Sequence, residues 1–442
     1  MNRRAQVLKY LLADWFSASA AWIILYAFRK KVLESSKFGF QLPLEFDTNF
    51  FLGLLIIPLF WILLYAMGGQ YNQIYRRHRL KELGQTLWTS TVGVLIIFFV
   101  LILDDEIVTY RNYYQSLVVL FASHFGLTVA LRLFLTTRTV KSIHRGELGF
   151  NTIVVGGSDR AMQMYDEILS LKKSPGYHFV GFVRVNGKDD LLSNYMPCLG
   201  KFDDLPQLIR KKKVEEVLLA IESSDYKEIS RILNILEGED VMVKIIPDIH
   251  DILRGSVKMT SIFGTPLIQI NNEIMPAWQF SLKRLMDIVF SAIAVILLSP
   301  VYLVLGLLVK LSSPGPVFFV QERIGIHGRP FNIIKFRTMV SDAEKDGPQL
   351  SSATDSRITR IGRFLRKTRL DELPQFINVL RGEMALVGPR PERQYYIDRI
   401  MARAPHYRHL QKVRPGITSW GQVKYGYAEN VDQMIARLKY DL

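Results

Sequence analysis

The sequence predicts a multidomain membrane protein in three parts. These are an N-terminal four-helix transmembrane bundle over residues 1–140, a small Rossmann-like α/β domain over 141–275, and a mainly α C-terminal domain over 276–442 with a re-entrant membrane helix at 285–311. Three observations predict it. Four apolar runs come first, each near the ~20 residues a helix needs to cross the hydrocarbon core. Short strands and helices then alternate, as in a parallel sheet. A fifth apolar run follows, broken by Ser299-Pro300 and flanked by cations at both ends. The composition agrees: 49% hydrophobic residues beside 22% charged ones describe a membrane part joined to a soluble part.

The four runs lie at about 11–28, 50–67, 87–103 and 113–135, with very few charges inside them. Loop charge sets their direction. Arg76, Arg77, Arg79 and Lys81 follow the second run, and Arg138, Lys141 and Arg145 follow the fourth. Between the third and fourth lie Asp104, Asp105 and Glu106 with only Arg111. Both ends of the bundle are therefore expected in the cytoplasm, although Arg29, Lys30, Lys31 and Lys37 then fall in an outer loop. No cleavable signal is read behind Arg3, Arg4 and Lys9, because no small-residue cleavage site follows and more spans do. The single cysteine, Cys198, excludes an internal disulfide framework.

From about Gly146 the pattern becomes strand and helix in turn. Strands are expected at 151–155, 179–185, 217–221 and 241–246, with helices to about 171, at 204–212 and at 226–237. Gly156-Gly157 after the first strand is a weak dinucleotide signal, since GGSDRAM lacks the third glycine of the fingerprint. The domain is also short for a dehydrogenase. A structural or oligomerising role is expected of it, without redox chemistry.

The run at 288–309 is long enough to span a membrane, yet charge argues against a crossing. Lys283 and Arg284 precede it and Lys310 follows. A full crossing would export a strongly basic domain: residues 281–442 hold 25 Lys and Arg against 14 Asp and Glu, which is +11 of the chain's +15. Pro300 cannot donate a helical hydrogen bond and disfavours the α region at Ser299, and a serine hydroxyl can satisfy a freed carbonyl. A helix–break–helix that enters and leaves on the cytoplasmic face is expected.

The chemistry concentrates in Thr368-Arg369-Leu370-Asp371-Glu372-Leu373-Pro374-Gln375. Adjacent carboxylates beside arginines are ordinarily solvated ion pairs. Here they are followed by NVLRGEMALVGPRP at 378–391, whose Gly388-Pro389-Arg390-Pro391 is a stiff turn carrying a guanidinium. Lys335, Arg337, Arg357 and Arg360 add cations upstream. Fixed cations keep a carboxylate ionised, as a nucleophile or metal ligand requires, and arginine forks match phosphate oxygens. Nucleic acid, the rival partner of a basic surface, fits poorly with a membrane-rooted domain that has no nucleic-acid motif.

Over about 281–442 the chain resembles the polyprenyl-phosphate hexose-1-phosphate transferases, the large monotopic phosphoglycosyl transferases. The stretches that carry the likeness are KRLMDIVFS at 283–291, LSPVYL at 298–303, SPGPVFFVQERIG at 313–325, FNIIKFRTM at 331–339, RITRIGRFLRKTRLDELPQFINVLRGEMALVGPRP at 357–391 and VRPGITSWGQV at 413–423. The four front helices and the α/β middle are similar to the family's large members. The resemblance implies a bacterial inner-membrane enzyme, its catalytic domain in the cytoplasm, that moves a sugar-1-phosphate from a UDP-sugar to a polyprenyl phosphate and releases UMP. It further implies Asp371 as covalent nucleophile, Glu372 acting with Mg²⁺ at the same centre so that both are metal ligands, Ser299-Pro300 as the helix break, and a homodimer. Arg390 and Pro391 are expected at a phosphate, with Lys335 and Arg337 behind them. Neighbours on a helix point about 100° apart, so only one of the two carboxylates is expected to face phosphorus. The chain departs from the family's usual PGITGWAQVNGR at Ser419 and Gly421, and it stops at Leu442, where members usually continue with amphipathic helix. A non-enzymatic scaffold of polysaccharide export that keeps the fold is the competing function, and the presence of Asp371, Glu372 and Arg390 argues against it.

Overall fold

The structure is a computed structural model. It describes every residue except 1–2, 36–39, 41–42, 103–109, 186–189, 222–225, 237–238, 247–266, 271–274, 341–342, 344–354, 427 and 429. Lys37, Asp104, Asp105 and Glu106 thus lie outside the described residues. The chain forms two compact units, residues 1–273 and 274–442.

The first unit opens with α1 (Arg3–Phe28), α2 (Thr48–Met67), α3 (Arg79–Ile97) and α4 (Tyr110–His144). With short π-helical extensions on α1 and α3, all four are long and apolar enough to cross a membrane. Asp47 caps α2 by accepting from the Phe50 amide at 2.8 Å. Trp61, Tyr65, Leu25, Val94 and Leu120 meet in the bundle core. Gly93 lies flat against the Trp61 ring, where a Cβ would overlap it. A charged cluster is buried in the same bundle. Arg132 of α4 is fully enclosed, donating to both oxygens of Asp14 at 2.7 Å and to Glu82 at 2.9 Å.

The α/β part follows as β1 (Phe150–Val155), α5 (Asp159–Ser170), β2 (Tyr177–Arg184), β3 (Cys198–Lys201), α6 (Leu205–Lys212), β4 (Glu216–Leu219), α7 (Tyr226–Leu236), β5 (Met242–Ile245) and β6 (Ile268–Ile270). The sheet order is β3-β2-β1-β4-β5-β6, parallel except for the antiparallel β6. Ile153, Val155, Val217 and Leu219 face one core, while Val154, Phe182 and Leu218 face the other. Strands buried on both faces read as continuous apolar runs, which made β1 and β4 legible. Neither β3 nor β6 was expected. β3 is four residues long, includes Gly200 at φ +136 and leaves both ends exposed, and β6 has three half-buried residues. Arg76 and Arg77, read above as loop charges, have packing partners: Arg76 donates to Glu216 of β4 at 3.0 Å, and Arg77 to Glu82 at 2.9 Å.

The second unit starts with α8 (Ala277–Leu297) and α9 (Ser299–Ser312), bent by 62° across Leu298. Pro300 is the second residue of α9, where its missing N–H costs nothing. The Ser299 hydroxyl donates to the Ile296 carbonyl at 2.8 Å. A β-hairpin comes next, β7 (Phe318–Ile324) and β8 (Pro330–Phe336), then α10 (Arg360–Thr368), α11 (Gln375–Arg381) and β9 (Ala385–Val387). The unit closes with α12 (Gln394–Met401), β10 (Gly416–Thr418) beside β9, α13 (Trp420–Lys424) and α14 (Val431–Asp441). It is mostly helical, with two small two-stranded sheets.

Candidate functional site

Asp371 and Glu372 sit between two helices, not within one. Thr359 caps α10 by accepting from Gly362 N at 2.9 Å, and α10 ends at Arg369, which adopts the left-handed conformation at φ 61°. A 3-10 turn, Leu370–Glu372, carries the pair, and Pro374 opens α11. The expectation of a regular helix is therefore corrected. A 3-10 turn has about three residues per turn, so neighbours diverge by about 120°, somewhat more than on an α-helix.

The turn rests on an apolar floor shared with the bent helix pair. Leu370 and Leu373 pack with Val301, Leu305, Val309, Phe336 and Leu365, and the Tyr302 hydroxyl of α9 donates to the Leu373 carbonyl at 2.7 Å. The second helix of the bent pair and the carboxylate turn are thus packed together. Asn378 fixes β8 against α11 by accepting from Ile334 N at 3.1 Å and donating to Asn332 O at 2.7 Å. That holds Lys335 of β8 over the turn.

Three cations surround Glu372: Lys335 at 2.8 Å, Arg390 at 3.6 Å and Arg369 at 3.8 Å. Burial raises the Glu372 carboxyl, but Lys335 and Arg390 outweigh it and hold the group at about 2. Asp371 differs. Its Oδ1 is buried without a hydrogen-bond partner among the described residues, and burial pushes its carboxyl above the usual range despite Lys335. Burial likewise pushes the Lys335 ammonium down, against the pull of Glu372. A buried acceptor with no partner costs about 1–3 kcal/mol, which points to a ligand at that oxygen.

Arg390 is aimed by the loop after β9. Gly388 and Gly416 approach so closely that a Cβ on either would overlap the other's backbone. Gly416 N donates to Pro389 O at 3.0 Å. Pro391 is buried, its carbonyl accepting from Arg323 at 3.3 Å. Behind the loop, buried Glu392 takes Arg437 of α14 at 2.7 Å and Arg323 at 3.5 Å. The unusual Ser419 and Gly421 meet the same helix: Ser419 caps α13 and donates to Asp441 at 3.3 Å, and Gly421 N donates to Asp441 at 2.7 Å. A Cβ at Gly421 would collide with Asp441 and Arg437. Sequence reading missed Glu392, Arg437 and Asp441, because only packing brings residues 45 or 20 positions apart together.

The expected residues thus separate. Asp371, Glu372, Lys335 and Arg390 converge. Arg337 does not join them: its guanidinium donates to the Ser313 and Pro314 carbonyls at 2.7 and 2.9 Å, tying the end of β8 to the chain that leaves α9. Among the described residues no three His, Cys, Asp or Glu form a metal-binding group. Mg²⁺ is commonly held by one or two carboxylates plus substrate phosphates, and Asp371 offers such an oxygen, whereas Glu372 is committed to the protein's own cations.

An Asp371 oxygen without a partner among the described residues, beside a cation-ringed Glu372 on a turn packed against a bent apolar helix pair, makes a site suited to phosphate. Residues 278–442 match the bacterial sugar transferase family, and 68–247 match a CoA-binding domain family. The UDP-glucose:undecaprenyl-phosphate glucose-1-phosphate transferase of Escherichia coli K12 is 30% identical over 401 residues, 88% of this chain and 83% of that protein. The Klebsiella pneumoniae protein of the same name is 30% identical over 411 residues, 90% of this chain and 85% of the other. The UDP-N-acetylgalactosamine-undecaprenyl-phosphate N-acetylgalactosaminephosphotransferase of Aeromonas hydrophila is 42% identical over 197 residues, 44% of this chain and 46% of that one. This chain belongs to the undecaprenyl-phosphate sugar phosphotransferases, and it is a transferase.

Proposed function

We propose that the chain transfers a sugar-1-phosphate from a UDP-sugar to undecaprenyl phosphate, as the initiating step of a bacterial surface glycan, through a covalent intermediate on Asp371. The observation that carries this reading is the buried Asp371 Oδ1, unpartnered among the described residues, beside a Glu372 held by cations.

In the first step an Asp371 oxygen attacks the sugar-bearing phosphorus of the UDP-sugar. The bond from that phosphorus to the bridging oxygen breaks, and UMP leaves with the electron pair. An oxygen of the lipid phosphate then attacks the same phosphorus, the acyl–phosphate bond breaks, and Asp371 returns as carboxylate with the diphosphate-linked lipid as product. Lys335 and Arg390, held by Glu372, neutralise phosphate charge during both displacements. Mg²⁺, if held by Asp371 and phosphate oxygens, supplies charge neutralisation and in-line orientation.

The 62° bend, the cations flanking it and the tie from Tyr302 to the turn support a re-entrant hairpin. One substrate is water-soluble and the other lies in lipid, so a nucleophile at the interface meets both. In this reading the catalytic unit faces the cytoplasm of the inner membrane and the chain is a homodimer, which mass photometry in native-lipid particles tests. Purified protein with Mg²⁺, undecaprenyl phosphate and a panel of UDP-sugars should release UMP for at least one sugar. No release with any sugar would overturn the reading.

A further inference from the structure

A cavity of about 190 Å³ opens in the catalytic unit at the foot of α8. Met275, Phe280, Ala385, Val387 and Val413 give it mostly apolar walls, and Lys283, Arg284, Asp287 and Arg414 line it as well. Three cations therefore face one carboxylate, and that carboxylate is already used. Asp287 takes Lys283 at 3.0 Å and accepts from Leu386 N at 3.1 Å.

Helix capping accounts for one of the two arginines. Arg284 gives both terminal nitrogens to the Val379 and Leu380 carbonyls at the end of α11, at 2.7 and 3.2 Å. It does not account for Arg414. That side chain donates only through Nε, to the Gly382 carbonyl at 2.9 Å, and its guanidinium lies 5.1 Å from the centre of the Phe280 ring. Its two terminal nitrogens have no acceptor among the described residues. Burial, and then the nearby Arg284, depress its guanidinium, so an anion between them would relieve both effects. Beside the cavity, Trp278, Phe280, Leu282, Leu285 and Met286 are exposed apolar residues on the first turns of α8. Gly388, on the cavity wall, is two residues before Arg390, at most about 7 Å along the chain.

We infer that this cavity seats the acceptor lipid, with the phosphate of the polyprenyl phosphate on Arg414 and its first isoprene units against Phe280, Val387 and Val413. Uncompensated positive charge inside an apolar pocket fits an amphiphile with a doubly ionisable head, and the exposed apolar face of α8 leads its chain toward the bilayer. The inference rests on the proposed reaction and adds to it an entry seat for the second substrate, from which the lipid phosphate advances past Arg390 to the phosphorus on Asp371.

The test uses the full chain in neutral phosphatidylcholine nanodiscs with Mg²⁺ and UDP-sugar, titrating undecaprenyl phosphate. Two variants are compared with the unaltered protein. Arg414→Gln removes the anion donor, and Val387→Trp fills the cavity from an exposed strand position without touching charge. Arg414→Gln should raise KM for undecaprenyl phosphate about tenfold or more, the size expected when a charge-assisted hydrogen bond to phosphate is lost, and Val387→Trp should raise it to a similar extent by occluding the seat. KM for the UDP-sugar should stay within about twofold. A short prenyl phosphate bearing a photoreactive group should crosslink to the cavity wall, and dioleoyl phosphatidylglycerol should not compete it away. A rise in KM for the UDP-sugar instead would make the cavity the donor's. Unchanged lipid KM in Val387→Trp, whatever the fate of Arg414→Gln, or full competition by phosphatidylglycerol, would also overturn the inference. Failure of the reaction itself shows separately, as absence of UMP release by the unaltered protein.

Discussion

Two buried charge clusters in this chain are built to opposite rules. In the membrane bundle, Arg132 gives Nε and one terminal nitrogen to the two oxygens of Asp14 and reaches Glu82 with the other, while Arg77 takes the second Glu82 oxygen. Tyr71 adds a hydrogen bond to Asp14 at 2.7 Å. Every carboxylate oxygen there has a donor. In the catalytic unit Glu372 has Lys335 at 2.8 Å and two arginines farther off, but Asp371 Oδ1 has no partner among the described residues. A matched cluster leaves no group to react and holds helices in register. The unmatched one leaves an oxygen open.

Breaking the matched cluster should give the largest effect. Arg132→Met leaves Asp14 with Tyr71 and Glu82 with Arg77, and loss of one partner from a buried ion pair costs about 3–5 kcal/mol. Thermal unfolding in detergent should show the loss, and adding Asp14→Asn and Glu82→Gln should restore much of it. If the single variant melts like the unaltered protein, the cluster does not hold the bundle together.

Asp371→Asn should behave in the opposite way. It keeps the shape of the side chain and removes the proposed nucleophile, so kcat should fall at least ~10³-fold with the melting temperature unchanged or higher. A loss of activity that tracks a loss of stability would make Asp371 structural.

Next in size is the brace behind Arg390. Arg437→Met leaves Glu392 with only the longer contact to Arg323, and kcat/KM for the UDP-sugar should drop about tenfold through a misplaced guanidinium. An unaltered kcat/KM in a well-folded variant would remove α14 from the account of the site.

An effect of similar size, on stability alone, is expected at Gly421. Gly421→Ala forces a methyl into Asp441 and Arg437, an overpacking worth about 1–3 kcal/mol. Asp441→Ala in the same chain should recover part of that, a coupling that a double-mutant cycle on melting temperature measures. Simple additivity would contradict the contact.

These contrasts follow what could be read from the chain before its fold. The four long runs and the Ser299-Pro300 break were legible because membrane length and proline chemistry are local properties. So was the concentration of cations around Asp371 and Glu372. The 3-10 turn was not, since a left-handed Arg369 leaves no mark in the sequence. Nor was the bundle's charge cluster: Arg132 is a single cation in an apolar run, and its partners lie 118 and 50 residues away. Arg337 shows the converse limit, a cation whose sequence neighbours suit phosphate but whose guanidinium is spent on two carbonyls.

The central claim is that Asp371, not Glu372, carries the phosphosugar. Unaltered protein incubated with Mg²⁺ and a UDP-sugar, without lipid, then digested and analysed by mass spectrometry, tests it most directly. The prediction is one sugar-phosphate mass on the peptide that holds the pair, localised to Asp371 by fragmentation and appearing with an equivalent of UMP. It should vanish when undecaprenyl phosphate is added. An adduct on Glu372, or UMP that appears only once lipid is present, would contradict the account.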